Sequence, residues 1–285
     1  MDETIRPLFD RFVRRTTLVD GTDLLDQLQA YVTNGYLTAS TWFVTFDITD
    51  LYTMLPQEES LVILAEFLRE HGCEKVNGIT IDTLVQLARI VLEENVFVYD
   101  RHFYRQTIGG AMGSAFTLTL ANIFMWKWEK HAILAKLPKN ELYGRSVHWP
   151  VRLSSRLPDF VCVCVFNRRY IDDVFITSND SEARVKEILA HANAFHPNIH
   201  ITWEIGKRIS FLDLLICNND GSLSSAVYHK PAAEPAVLPF SSDHPRHVFQ
   251  NIVQTALTRA IRYSSTLALF NTERRRFRLM LIYNG

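Results

Sequence analysis

Apolar residues recur at helical spacing over several stretches of the chain. Leu24, Leu25, Leu28, Tyr31 and Val32 mark a helix from Thr22 to Asn34 that stops at Gly35. Leu61, Leu64, Ala65 and Leu68 mark another that ends near Gly72, and Ile81, Leu84, Val85, Ala88, Val91 and Leu92 a third. Phe116 to about Leu134 reads as an apolar helix, Val185 to Ala192 as an amphipathic one, and the chain is helical in pattern from Val248 onward. Between these lie short β-prone runs: Trp42–Phe46, Tyr170–Thr177 turning at two aspartates, Ile199–Ile205, Ile209–Ile216 and Leu223–Tyr228. Val96–Tyr99 and His102–Arg105 flank Asp100-Arg101 and predict a hairpin. This order predicts an α+β fold, with helices on one face of an antiparallel sheet. No internal repeat or low-complexity segment interrupts it.

Composition supports a packed core: 47% of the 285 residues are hydrophobic. The formal net charge of -1 gives no overall basic surplus. Positive charge gathers at the end instead, with Arg259, Arg262, Arg274, Arg275, Arg276 and Arg278. Such a cluster reads either as a solvated helix face or as a phosphate contact. Cys73, Cys162, Cys164 and Cys217 form no C-x-x-C pair, which argues against zinc and fits a reducing compartment. The start lacks a signal-peptide pattern, and no apolar run reaches the ~18 residues of a membrane span. An intracellular protein with no membrane partner is expected.

The chemistry-bearing residues are carboxylates. Asp172 and Asp173 stand within Arg169-Tyr170-Ile171-Asp172-Asp173-Val174-Phe175-Ile176, and Asp47 closes the apolar run Trp42–Phe46. Taken singly, each reads equally as a polar turn residue. Strands ending in carboxylates can also hold two divalent cations about 3.5–4 Å apart, the arrangement that clamps the attacking and leaving oxygens of a phosphoryl transfer.

Asp47-Ile48-Thr49-Asp50-Leu51-Tyr52 resembles the first catalytic motif of reverse transcriptases, a metal-binding Asp followed five positions on by an aromatic residue. Gln106-Thr107-Ile108-Gly109-Gly110-Ala111-Met112-Gly113-Ser114, followed by Leu120-Ala121-Asn122-Ile123-Phe124, resembles the Penelope-like branch of that family. That branch usually has Pro after the Ser, where this chain has Ala115. Ile209-Ser210-Phe211-Leu212-Asp213-Leu214-Leu215 is similar to the branch's primer-grip hairpin, and Val227-Tyr228-His229-Lys230-Pro231 also matches it.

The resemblance spans roughly residues 42 to 285 and implies a reverse-transcriptase palm with a partial helical thumb. It implies a remnant of the fingers and connector at 1–40, a palm at 41–231 and a truncated thumb at 232–285. Asp47, Asp172 and Asp173 become catalytic metal ligands for two Mg²⁺ ions, with Mn²⁺ as a substitute. Mg²⁺ suits carboxylate and phosphate oxygens in octahedral geometry. Ile48, Tyr52, Gly109, Gly113 and Ser114 become nucleotide contacts, Tyr52 as the ring that excludes a 2′-hydroxyl. Gln106, Phe211, Leu212 and Asp213 become primer and template contacts, and Lys207 a candidate general acid for the departing pyrophosphate. The implied activity is RNA-directed DNA polymerisation, with an RNA template, a DNA primer and deoxynucleoside triphosphates as partners, in the nucleus.

Two features depart from that pattern. Forty-six residues precede Asp47, so most of a fingers region is expected to be absent, and a decayed fragment that at most binds nucleic acid stays open as the alternative. Glu141-Leu142-Tyr143-Gly144-Arg145, which the branch runs directly into Y-I-D-D, is separated from Tyr170 by 169−145 = 24 residues. The segment 146–169 reads as a translated intron or as a tolerated surface insertion, because loop closure costs only ~0.6 kcal/mol more per doubling of length.

Overall fold

The computed structural model describes residues 1–146, 172–230 and 238–284. In chain order the elements are α1 (Asp2–Val13), β1 (Thr17–Leu18), α2 (Gly21–Thr33), β2 (Trp42–Thr49), α3 (Leu51–Met54) and α4 (Gln57–Glu70). Then come β3 (Lys75–Val76), β4 (Ile79–Thr80), α5 (Ile81–Glu93), β5 (Val96–Tyr99), β6 (His102–Arg105) and α6 (Ala115–Glu129), which continues as a π-helical turn over Lys130–Leu134. After β7 (Tyr143–Ser146) follow β8 (Val174–Ser178), α7 (Glu182–Ala194), β9 (His200–Gly206), β10 (Arg208–Phe211), β11 (Leu214–Asn219), β12 (Ser222–Val227), α8 (Arg246–Tyr263) and α9 (Leu267–Tyr283). The architecture is mixed α/β. A five-stranded sheet has the order β1-β7-β8-β2-β9, and a three-stranded sheet the order β10-β11-β12. Antiparallel pairing joins β3 to β4, β5 to β6, and β11 to both β10 and β12.

The chain divides into two compact units. One comprises Met1–Thr17, Phe46–Arg145 and Ser181–Trp203. Its centre is α6, apolar on every side, with Phe116, Leu120, Ile123, Phe124, Met125 and Trp128 buried. Ser114 caps it by accepting from the Thr117 amide. Against α6 pack α1 and α4, and α4 also packs on α5. Phe67 of α4 joins them, 6.0 Å from the Phe9 ring and edge-on to Trp126 at 5.0 Å. Each such side chain stabilises the unit by about 1.5–3 kcal/mol when fully withdrawn from water.

The other unit comprises Leu18–Thr45, Ser146–Asp180 and Glu204–Gly285. Here α8 packs on α2, β12 and α9. Asn179 ties the unit together: its amide oxygen accepts from the Thr38 and Thr41 hydroxyls at 2.9 and 2.6 Å, and its amide nitrogen donates to the Tyr31 hydroxyl at 2.7 Å.

Two expectations change. Asp47 does not close its strand, since β2 continues through Ile48 to Thr49. The run Ile209–Ile216 is two strands rather than one, reversing at Leu212, whose φ of 54° lies in the left-handed region. Helix α1, within the span expected only as a fingers remnant, repeats its apolar face through Ile5, Phe9 and Val13. The expected insertion past Ser146, Tyr170, Ile171, Cys162, Cys164 and Pro231 lie outside the described residues. Cys73 and Cys217 are free thiols.

Candidate active site

Strand β2 alternates as a half-buried strand must: Phe46 and Ile48 are buried, while Asp47 and Thr49 face outward. Asp47 is therefore presented by the pleat, with a buried neighbour on each side. Asp172 and Asp173, both half-buried, directly precede β8, and β8 is the neighbour of β2 in the sheet. The backbone of Asp173 is fixed from the other side, its carbonyl accepting from the Ser146 amide at 3.0 Å. Three rings form a chain of contacts: Phe43 of β2 lies 5.8 Å from Phe175 of β8 at a tilt of 40°, and Phe175 lies 5.5 Å, edge-on, from Phe211 at the end of β10. One buried aromatic column thus links both aspartate-bearing segments to the predicted primer-grip turn. Among the described residues, no group of three or more His, Cys, Asp or Glu side chains is placed to hold a metal ion.

The glycine-rich loop meets the segment after Asp47. The Gly109 amide donates to the Leu55 carbonyl and the Gly110 amide to the Tyr52 carbonyl, each at 2.9 Å. Gln57 donates to the Gly109 carbonyl at 2.8 Å, and Asn95 to the Gln106 side chain at 2.6 Å. Two motifs more than fifty positions apart in sequence are thereby brought together. Tyr52 is half-buried beside this loop, Gly113 is exposed, and Ser114 serves as the α6 cap. The Ile48 side chain is in the core, 1% exposed, which leaves its backbone as the part that can face a ligand.

Gly109 is needed for close approach of backbone to backbone. Its φ is +73°, and a Cβ there would overlap the Tyr52 carbonyl oxygen and come within 2.6 Å of the Thr53 oxygen. Gly78 shares the left-handed conformation, with φ +81°, but has open space around it. Gly109→Ala is expected to cost about 1–3 kcal/mol more than Gly78→Ala. Urea denaturation of the two variants measures the difference, and equal midpoints would refute the packing role.

The Phe211-Leu212-Asp213 turn is held on three sides. Phe211 is buried in the aromatic column, the Asp213 carbonyl accepts from the Tyr228 amide at 2.8 Å, and its carboxylate pairs with Arg259 of α8 at 3.1 Å. One residue past Tyr228, His229 pairs with Glu273 of α9 at 2.8 Å. In sequence Arg259 is only part of a basic cluster and Glu273 gives no signal, because each partner lies over forty positions away. Lys207 sits on the turn between β9 and β10. Its ammonium donates to the Ala39 and Thr41 carbonyls at 2.7 and 2.8 Å and lies 4.5 Å above the Trp42 ring. Burial lowers its pKa, with Asp220 opposing. In this position Lys207 anchors the entry to β2. Arg274, Arg275, Arg276 and Arg278 are exposed on α9, with no ion-pair partner among the described residues.

The fold is similar to that of telomerase, a reverse-transcriptase-related enzyme. The telomerase of Candida albicans in complex with a TWJ fragment of telomeric RNA superposes with a TM-score of 0.63 at 14% identity, over 98% of this chain and 45% of that one. The apo telomerase of Candida tropicalis gives 0.54 at 11% identity, over 98% of this chain and 50% of that one. The same enzyme with a TWJ RNA fragment gives 0.54 at 11%, over 99% and 45%. The chain thus spans half or less of the telomerases it matches. A family model described as an animal helix-turn-helix domain matches residues 236–285, the segment holding α8, the turn Ser264–Thr266 and α9. No curated protein matches the sequence significantly. Among the described residues, no helix is long and apolar enough to cross a membrane.

Proposed function

We propose that the chain is the palm and partial thumb of an RNA-directed DNA polymerase of a Penelope-like retroelement. The observation that carries this reading is that the strand bearing Asp47 neighbours the strand that Asp172 and Asp173 precede, in a telomerase-like fold. The donor chemistry fits Mg²⁺, which is usually held by one or two carboxylates together with substrate phosphate oxygens rather than by an all-protein cage. Asp47 and Asp172 would supply those carboxylates, with Asp173 as a neighbouring ligand or charge support. Held there, such ions would supply Lewis-acid activation of the primer 3′-hydroxyl and charge neutralisation of the triphosphate.

The chain's own residues position the reactants. Tyr52, fixed by the Gly109–Gly110 contacts, bounds the sugar of the incoming nucleotide and selects deoxynucleotides. Gln106, Gly113 and Ser114 border the templating nucleotide. The Phe211–Asp213 turn, clamped by Arg259, holds the primer end at a fixed height over the aromatic column. Positioning of this kind supplies much of the rate of a phosphoryl transfer. The helix-turn-helix match and the exposed arginines of α9 support contact with nucleic-acid phosphates. The working compartment in this reading is the nucleus.

Extension of a DNA primer on an RNA template by the purified chain, with Mg²⁺ and deoxynucleotides, tests the proposal. Extension is expected with deoxynucleotides and much less with ribonucleotides. A folded chain that binds the template but never extends the primer establishes the alternative, a fragment that only binds nucleic acid.

A further inference from the structure

The hairpin β5–β6 exposes an unusual face. Its register pairs Phe97 with Tyr104 and Tyr99 with His102. Side chains alternate between the faces of a strand, so these four rings share one face, while Val96, Val98, Phe103 and Arg105 share the other. Phe97 and Tyr104 are stacked, with centroids 5.7 Å apart at 22°, and Tyr99 lies 6.4 Å from Tyr104. The His102 ring is fixed by a 2.7 Å bond between Nδ1 and the Asp100 carbonyl. Positive φ at Asp100 and Arg101 gives the tight turn that suits the twist of a two-stranded ribbon. The face is nevertheless open to solvent: Tyr99 is 70% exposed, Phe97 50% and Tyr104 45%. Exposed apolar surface of this extent marks a contact site.

We propose that this ring face is a stacking platform for an unpaired strand of nucleic acid. The proposal rests on the polymerase reading for its biological setting but not for its chemistry. Val96 and Val98, 51% and 61% exposed, lie with Phe103 on the opposite side. The ring face carries only π-surfaces, with phenol hydroxyls and an imidazole at their edges. Bases stack on such rings whatever their identity. Arg101, at the tip, has no ion-pair partner among the described residues and provides a cation for the backbone; Asp100 beside it is the one opposing charge at the turn, while Arg105 is within 3.9 Å of Glu94. In sequence the platform directly precedes Gln106 and the glycine loop.

Binding of a labelled, unstructured pyrimidine oligonucleotide by the full chain, measured by fluorescence anisotropy without metal or nucleotide, tests the proposal. Tyr99→Ala is expected to weaken binding about 5- to 150-fold. Tyr99→Phe should retain it, and Val98→Ala, on the opposite face, should leave it unchanged. If Tyr99→Ala binds the oligonucleotide as tightly as the parent chain, the proposal is overturned. It is also overturned if that variant only dissociates a self-associated form, which makes the face a protein contact. Primer extension is scored separately. A chain that passes the binding test but fails extension refutes the polymerase reading and leaves the platform standing; one that extends, but whose Tyr99→Ala variant binds normally, does the reverse.

Discussion

Arg145→Met is expected to cost the folded state about 3–5 kcal/mol, the largest stability loss of any single change considered. Arg145 is 1% exposed, the largest fully buried side chain among the described residues. Its guanidinium meets the Glu129 carboxylate, itself 1% exposed, and bonds the side chain of Asn122, with a further 3.3 Å bond to the Asn122 carbonyl. Burial pushes the Glu129 carboxyl up, while Arg145 pulls it down, and the Tyr143 phenol beside it is raised by burial and by the Glu129 charge. Methionine fills a similar volume but leaves the buried Glu129 carboxylate without its balancing charge, with the neutral Tyr143 phenol beside it, and the Asn122 amide oxygen without the guanidinium donor. Against a total stability of ~5–15 kcal/mol for an ordinary domain, the loss would leave a substantial unfolded fraction. Removing both charges as Glu129→Leu with Arg145→Met should recover most of the loss, because the penalty comes from the orphaned charge rather than from losing the attraction. Urea midpoints for the single and double variants decide the matter. A single variant within about 1 kcal/mol of the parent would show that water or a rearranged partner satisfies Glu129.

The Arg145 network joins residues that nothing in the sequence pattern connects. Asn122 and Arg145 stood in two separate motifs of the resemblance, with no indication that they touch. Periodicity located α2, α4, α5, α7 and the β5–β6 hairpin to within a few residues, because each follows one period from start to stop. It did not locate α1, where Pro7 stands among the apolar positions, nor β7, whose four buried residues include Arg145 and two other polar or small ones. The end of β2 at Thr49 departs from the apolar run for a related reason. An exposed aspartate looks like a terminus in a run of apolar residues, yet on a half-buried strand it is merely the outward position of the pleat.

For the candidate site, identity was legible and support was not. Asp47, Tyr52, Gly109 and the Phe211–Asp213 turn could be named from short motifs. What holds them could not: the Phe43–Phe175–Phe211 column, the Arg259 clamp and the Gly109 contact with the Tyr52 backbone all join positions separated by dozens of residues. The glycine loop is the clearest case. Its sequence implied closeness to a nucleotide, whereas the close approach that the structure displays for Gly109 is to the chain itself.

Asp172→Asn should lower primer extension by at least about 10²–10³-fold while leaving the fold intact, the largest expected loss of function. The substitution is nearly isosteric, Asp172 is only half-buried, and the amide keeps a neutral oxygen acceptor. What disappears is the charge. A neutral amide is a far poorer ligand for a hard cation than a carboxylate, so positioning of the triphosphate and activation of the 3′-hydroxyl would be lost together. Asp213→Asn is the informative contrast. That carboxylate faces Arg259, so neutralising it should loosen the turn and weaken primer binding, with extension restored as primer concentration rises. Primer titrations at saturating deoxynucleotide, alongside thermal melts of both variants, separate the two roles. Should Asp172→Asn extend primers at the parental rate with Mg²⁺, no cation held by that carboxylate takes part in the reaction, and the polymerase reading loses its chemical centre.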